Sequence, residues 1–193
     1  MMAERLNLGR RTKEDEARYT FFCAAILGGD YAHTDISLET PYPLDEKKEI
    51  DALFEPVAGM DACIFEFKFD RAPPQGSSNT TERSGAVVHD LCRLALAGFP
   101  QITRRFFVYI TDEVMDFYFM NPHNRLSELF SCEDLSQPFH LTDEFWHGRP
   151  SSFMAKVGKL QTNFSTNIVY ASELPRNFKL KIFEVWQLAN KES

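Results

Sequence analysis

Two kinds of hydrophobic spacing alternate along the chain. Residues 12–27 and 80–97 place apolar side chains at helical intervals: Ala17, Phe21, Phe22, Ala24, Ala25 and Ile26 in the first, Val87, Val88, Leu91, Leu94 and Ala95 in the second. Both stretches carry boundary signals. Thr12 stands as N-cap before the acidic turn Glu14, Asp15 and Glu16, and Gly28-Gly29 stops that helix. Asn79 and Glu82 have capping-box spacing, and Gly98 and Pro100 follow the second helix. Between them, residues 34–42, 48–55 and 61–70 read as strands. In the last, Phe65, Phe67 and Phe69 alternate with Ile64, Glu66 and Lys68, which puts the two sets on opposite faces. The short link PVAGM at 56–60 makes 48–55 and 61–70 an antiparallel hairpin turning near Ala58-Gly59.

Further on, RRFFVYIT at 104–111 is an unbroken apolar run, the look of a central strand buried on both faces. Strand, helix and buried strand in that order predict a crossover, with 61–70 and 104–111 parallel. Residues 112–165 show no clean period and predict peripheral helices and loops over one edge of the sheet; 166–186 supply terminal strands at 166–171 and 178–185. The order predicts one mixed α/β domain over 1–193, a central sheet flanked by helices.

Composition narrows the function classes. Hydrophobic residues are 44% of the 193, and 18 are Phe, so the chain is expected to pack an aromatic core rather than stay disordered. The net charge of −7 argues against an unspecific nucleic-acid coat protein. No apolar run has membrane-spanning length, and no apolar segment follows the basic residues at the N-terminus, so neither a membrane partner nor secretion is expected. Cys23, Cys63, Cys92 and Cys132 lack CxxC or Cys–His metal spacing; they read as buried thiols in a reducing compartment, and the expected location is cytoplasmic. No phosphate-cradling glycine motif or HExxH occurs, and NPHNR at 121–125 reads as a turn.

The chemistry concentrates between Glu49 and Lys68. With the turn at Ala58-Gly59, Asp51 falls opposite Glu66 and Glu49 opposite Lys68, and opposed residues share a face with Cβ atoms ~4.5–5.5 Å apart. Two carboxylates that close repel unless a cation lies between them, and hard oxygen ligands suit Mg²⁺ or Mn²⁺. A lysine alongside can orient a water or offset developing charge on phosphorus. The other reading of an E-x-K pair is a cross-strand salt bridge on a solvated face.

Asp51 followed by Glu66-Phe67-Lys68 in IFEFK resembles the motif of the PD-(D/E)XK nuclease superfamily, the restriction-endonuclease-like fold. The resemblance covers residues 12–111, with Ile50 where the family places a proline. It implies a Mg²⁺-dependent (or Mn²⁺-dependent) nuclease, a phosphodiester hydrolase acting on DNA. Asp51, Glu66 and the backbone carbonyl of Phe67 would be metal ligands and Lys68 the catalytic lysine. Glu39 or Glu16 would be a further acid, and Glu49 either a partner of Lys68 or an exposed residue. Homodimerisation is common in such enzymes. The alternatives are a non-catalytic nuclease-like binding module, or a subunit of a larger defence or repair assembly. Charge is unevenly placed: residues 39–70 hold 3 basic and 9 acidic side chains, whereas 71–111 hold 5 basic and 2 acidic. Arg104 and Arg105 could touch phosphate or simply end a strand. Trp146 and Trp186 read as packing residues.

Overall fold

The computed structural model describes residues 32–42, 45–57, 60–72, 80–99, 104–131 and 137–188. Their secondary structure runs β1 (Ile36–Tyr42), β2 (Asp45–Phe54), β3 (Cys63–Asp70), α1 (Thr80–Ala95), β4 (Arg104–Thr111), α2 (Glu113–Met120), α3 (Ser127–Phe130), β5 (Phe139–Leu141), α4 (Asp143–Trp146), α5 (Ser151–Val157), β6 (Phe164–Leu174) and β7 (Phe178–Gln187). The strands form one sheet in the order β1-β2-β3-β4-β7-β6-β5. The β3–β4 pair is parallel, as the crossover through α1 predicts, and the other described pairs are antiparallel. This is a mixed α/β sheet flanked by helices. The expected helix at 12–27, Glu16, Asn79 and the turn at Ala58-Gly59 lie outside the described residues.

The alternation in β3 sorts side chains as expected. Ile64 packs with Leu53, Val87, Val88, Leu91, Phe107 and Phe183 beneath α1. On the opposite face Phe65 and Phe67 join Ala52, Phe54, Phe106 and Val108, and the Phe65 ring lies 4.9 Å from Phe54 and 5.1 Å from Phe106. β4 is central, and every residue from Phe106 to Ile110 is buried, so its continuous apolar run reflects packing on both sides. α5 lies against α1 at close range: a Cβ added to Gly85 would stand 2.5 Å from the Phe153 carbonyl oxygen.

Two expectations need correction. Residues 112–165 are not only helices and loops, because β5 extends the sheet to its last edge through pairs such as Leu141 with Phe164. Three residues following Pro138 are too short a run for alternation to register. Glu49 does not pair with Lys68 across the hairpin. The β2–β3 pairs end at Ala52 with Phe65, and beyond that point β2 stays with β1, setting exposed Glu49 against Pro41.

Candidate functional site

The β2–β3 pairs Phe54 with Cys63, Leu53 with Ile64 and Ala52 with Phe65 have the register expected from the sequence. The next position brings Asp51 beside Glu66, and there the strands part. Asp51 Oδ2 accepts the backbone N–H of Phe67 at 2.7 Å, so a side-chain oxygen takes a donor just beyond the last strand pair. This contact uses the N–H of Phe67; the group expected as a metal ligand is the carbonyl of the same residue.

Glu66, Lys68 and Asp70 follow at period two on the face of β3 that looks at α1. An apolar row would be the ordinary choice there. Instead the helix answers with charges, and three ion pairs cross the seam. Arg93 Nη2 lies 2.7 Å from Glu66 Oε2, Lys68 Nζ 2.7 Å from Asp90 Oδ2, and Arg83 Nη1 2.6 Å from Asp70 Oδ1. The match is geometric. Five strand residues span ~13 Å at ~3.3 Å per residue, and the helix from 83 to 93 rises ~15 Å in the reverse direction. A longer Arg93–Asp90 contact of 3.7 Å ties the first two pairs together.

Tyr42 completes the network. The β1–β2 register shifts between Pro41 and Tyr42, and the Tyr42 hydroxyl donates to Glu66 Oε1 at 2.5 Å. The Arg93 guanidinium also lies 5.0 Å from the centroid of the Tyr42 ring. Glu66 is only 3% exposed and therefore has both carboxylate oxygens engaged.

Burial is the largest influence on Glu66 and pushes its carboxyl up to about 8; Arg93 and the Tyr42 hydrogen bond oppose this, while the charges of Asp51 and Asp90 reinforce it. Burial raises the Tyr42 phenol as well, with the Glu66 charge adding to the effect. Arg93 loses some proton affinity to burial, but Glu66, Tyr42 and Asp90 more than restore it, so it stays cationic. Its Nε has no hydrogen-bond partner among the described residues, and neither has Oδ2 of Asp70.

The structure thus brings Asp51, Glu66 and Lys68 into one network. Glu39 is in β1 at the place bracketed by the pairs Leu38 with Ala52 and Thr40 with Ile50; it is exposed and has a left-handed φ of 51°. Sequence reading missed Tyr42, Asp70, Arg83, Asp90 and Arg93. Arg83, Asp90 and Arg93 did leave a signal, since positions seven and three apart lie on one side of a helix and here flank its apolar stripe. Tyr42 left none, because its placement depends on the register shift.

A divalent cation can be tested against these residues. Three carboxylates (Asp51, Glu66 and Asp90) face two cations (Lys68 and Arg93), and the charges of Asp51 and Asp90 add to the burial that raises the proton affinity of Glu66. Hard oxygen donors in that environment suit Mg²⁺ or Mn²⁺ chemically. Among the described residues no three acidic, His or Cys side chains are already gathered for a metal, and Glu66 holds Arg93 and Tyr42 where an ion would compete. The donors fit the ion in kind, and its entry requires that one of those contacts be exchanged.

Other expected features resolve as structural. Arg104 clasps Glu184 through two hydrogen bonds of 2.8 and 3.0 Å, and Arg105 donates to the Ala97 carbonyl. Cys63 and Cys92 are buried free thiols, Trp146 is buried whereas Trp186, expected to pack, is exposed near the end of β7, and 121–125 is a turn with Arg125 in the left-handed region; Cys23 and Cys132 lie outside the described residues. Among the described residues, no helix is long and apolar enough to cross a membrane. No family model, no curated protein and no solved structure matches the chain.

Proposed function

We propose that the protein is a Mg²⁺-dependent nuclease of the restriction-endonuclease-like kind, hydrolysing phosphodiester bonds in DNA at the β3–α1 seam. The observation that carries this reading is the meeting of Asp51, Glu66 and Lys68 where β2 and β3 part, on a β1-β2-β3 meander followed by a crossover helix and a parallel strand. Asp51 and Glu66 would hold the cation, which when bound supplies charge to polarise the phosphate and acidify a water. Lys68, held by Asp90, orients the attacking water. Arg93 contributes fixed positive charge beside the phosphate as negative charge develops. The Phe67 N–H keeps the Asp51 carboxylate in place.

Cleavage of supercoiled and linear DNA with Mg²⁺ or Mn²⁺ tests the proposal. Wild type should cut, and Asp51→Asn and Lys68→Ala should each lose at least a hundredfold while remaining folded. Equal cutting by the variants would remove the assigned roles.

One observation favours a second reading, a non-catalytic nuclease-like binding module. Both Glu66 oxygens are engaged and Lys68 is paired, as structural ion pairs would be. Such a module binds no cation at Glu66, so metal binding separates the two.

A further inference from the structure

A second polar site lies away from the seam, at the β5 edge of the sheet. A pocket of about 430 Å³ opens there, lined by Arg125, Arg149, Ser127, His140, Glu128 and Glu144 and by the rings of Phe139 and Phe145. That volume is in the range of small-ligand sites. The surrounding turns are gathered by Arg149, which donates to the carbonyls of Phe145, Asn124 and Arg125, each at 2.8 Å. Its guanidinium also lies 3.9 Å from the centroid of the Phe145 ring. Arg125 adopts a left-handed φ of 55° and gives Nη1 to the His147 carbonyl at 2.8 Å.

Neither arginine forms an ion pair among the described residues, although Glu128 and Glu144 share the pocket wall. Burial, and then the charge of Arg125, push the Arg149 guanidinium down to about 10. The two guanidinium groups are held near each other without a salt bridge to either glutamate among the described residues, and an anion on Arg125 would relieve their mutual repulsion. The nitrogens of Arg149 are engaged by carbonyls, so it contributes charge and rigidity. Arg125 uses one nitrogen on the protein and retains Nε and Nη2, the edge suited to a bidentate phosphate contact. The two glutamates, which form no ion pair among the described residues, are acceptors for amino groups, and half-buried Phe139 offers a ring face.

We propose that this pocket binds a nucleoside monophosphate, with the phosphate on Arg125 and the base toward Phe139 and the two glutamates. Binding here does not depend on chemistry at the β3–α1 seam.

The test is calorimetry of the full chain with adenosine 5′-monophosphate, adenosine and inorganic phosphate, together with the His140 ring resonance, since His140 lines the pocket. The monophosphate should bind once per chain and shift the His140 signal. Adenosine and phosphate should each bind at least tenfold more weakly. Arg125→Gln should weaken the monophosphate at least tenfold, while Lys68→Ala leaves it unchanged. The proposal is overturned by absence of saturable binding, by an unmoved His140 resonance, by inorganic phosphate binding as tightly, or by binding that is lost in Lys68→Ala. A failure of DNA cleavage would not touch it.

Discussion

The β4–β7 region and the β3–α1 seam lie on the same face of the sheet and differ in what they bury: the first is mostly rings, with the part-buried pair Lys181–Asp116 at their side, and the second is a row of ion pairs. Around β4 and β7, Phe107, Tyr109, Phe119, Phe130 and Phe183 form a block of rings, with Phe119 and Phe130 stacked at 4.0 Å and Phe130 edge-on to Phe183 at 5.3 Å. Along the seam, three strand positions that could have continued that block are Glu66, Lys68 and Asp70, each matched by a charge on α1. The ring block stabilises without needing an exact partner at each position. The seam costs desolvation at every charge, and replacing such pairs by apolar groups is often neutral or better for stability. The difference fits the proposed nuclease role, in which the ring block serves the fold and the seam would serve chemistry.

The comparison can be broken most forcefully at single side chains. Arg93→Ala leaves Glu66 buried without its cation and should cost about 3–5 kcal/mol in urea unfolding at pH 9, where Glu66 is ionised. If the seam is not there for stability, Glu66→Leu with Arg93→Met and Tyr42→Phe should recover most of that loss; a triple variant as unstable as the single one would contradict the contrast. Phe130→Ala, at a fully buried ring, should cost a similar ~3–5 kcal/mol, and no apolar swap elsewhere should restore it.

Acidity sharpens the same contrast. The native state holds the Glu66 proton up to about 8, whereas the group's ordinary value is 4.5, so between those values the folded chain binds more protons than the unfolded one. This group therefore lowers stability as pH rises through that window, and its cost is constant above it. Melting temperatures of Glu66→Gln should lack this component, so the variant gains on wild type between pH 5 and 8.5; parallel curves would show that Glu66 titrates normally. The smallest effect belongs to Arg104. Its pair with Glu184 is nearly half exposed on the arginine side, and Arg104→Ala should cost ~0–1 kcal/mol, less at high salt.

Much of the apolar architecture was legible because burial imposes a period. The run at 104–111 had to be central, and the turn expected from the sequence near Ala58-Gly59 implies the register that aligns Asp51 with Glu66. Legibility ended where local rules stopped applying. Glu49 was matched with Lys68 by extending the hairpin past the place where its strands part. Tyr42 enters through a register shift that alternation cannot anticipate. β5 is short and preceded by proline. Asp90 and Arg93 stood on a recognised helix, but their role appears only when α1 is laid over β3, more than twenty residues from its partners in sequence.

The central claim is that the seam accepts a divalent cation at Asp51 and Glu66. Calorimetry of Mn²⁺ binding at pH 6 and pH 8.5 tests it most directly. One ion per chain should bind, more tightly at the higher pH because the ion displaces the Glu66 proton, and binding should be lost in Glu66→Gln. No Mn²⁺ binding at either pH, or binding that survives Glu66→Gln unchanged, would contradict it.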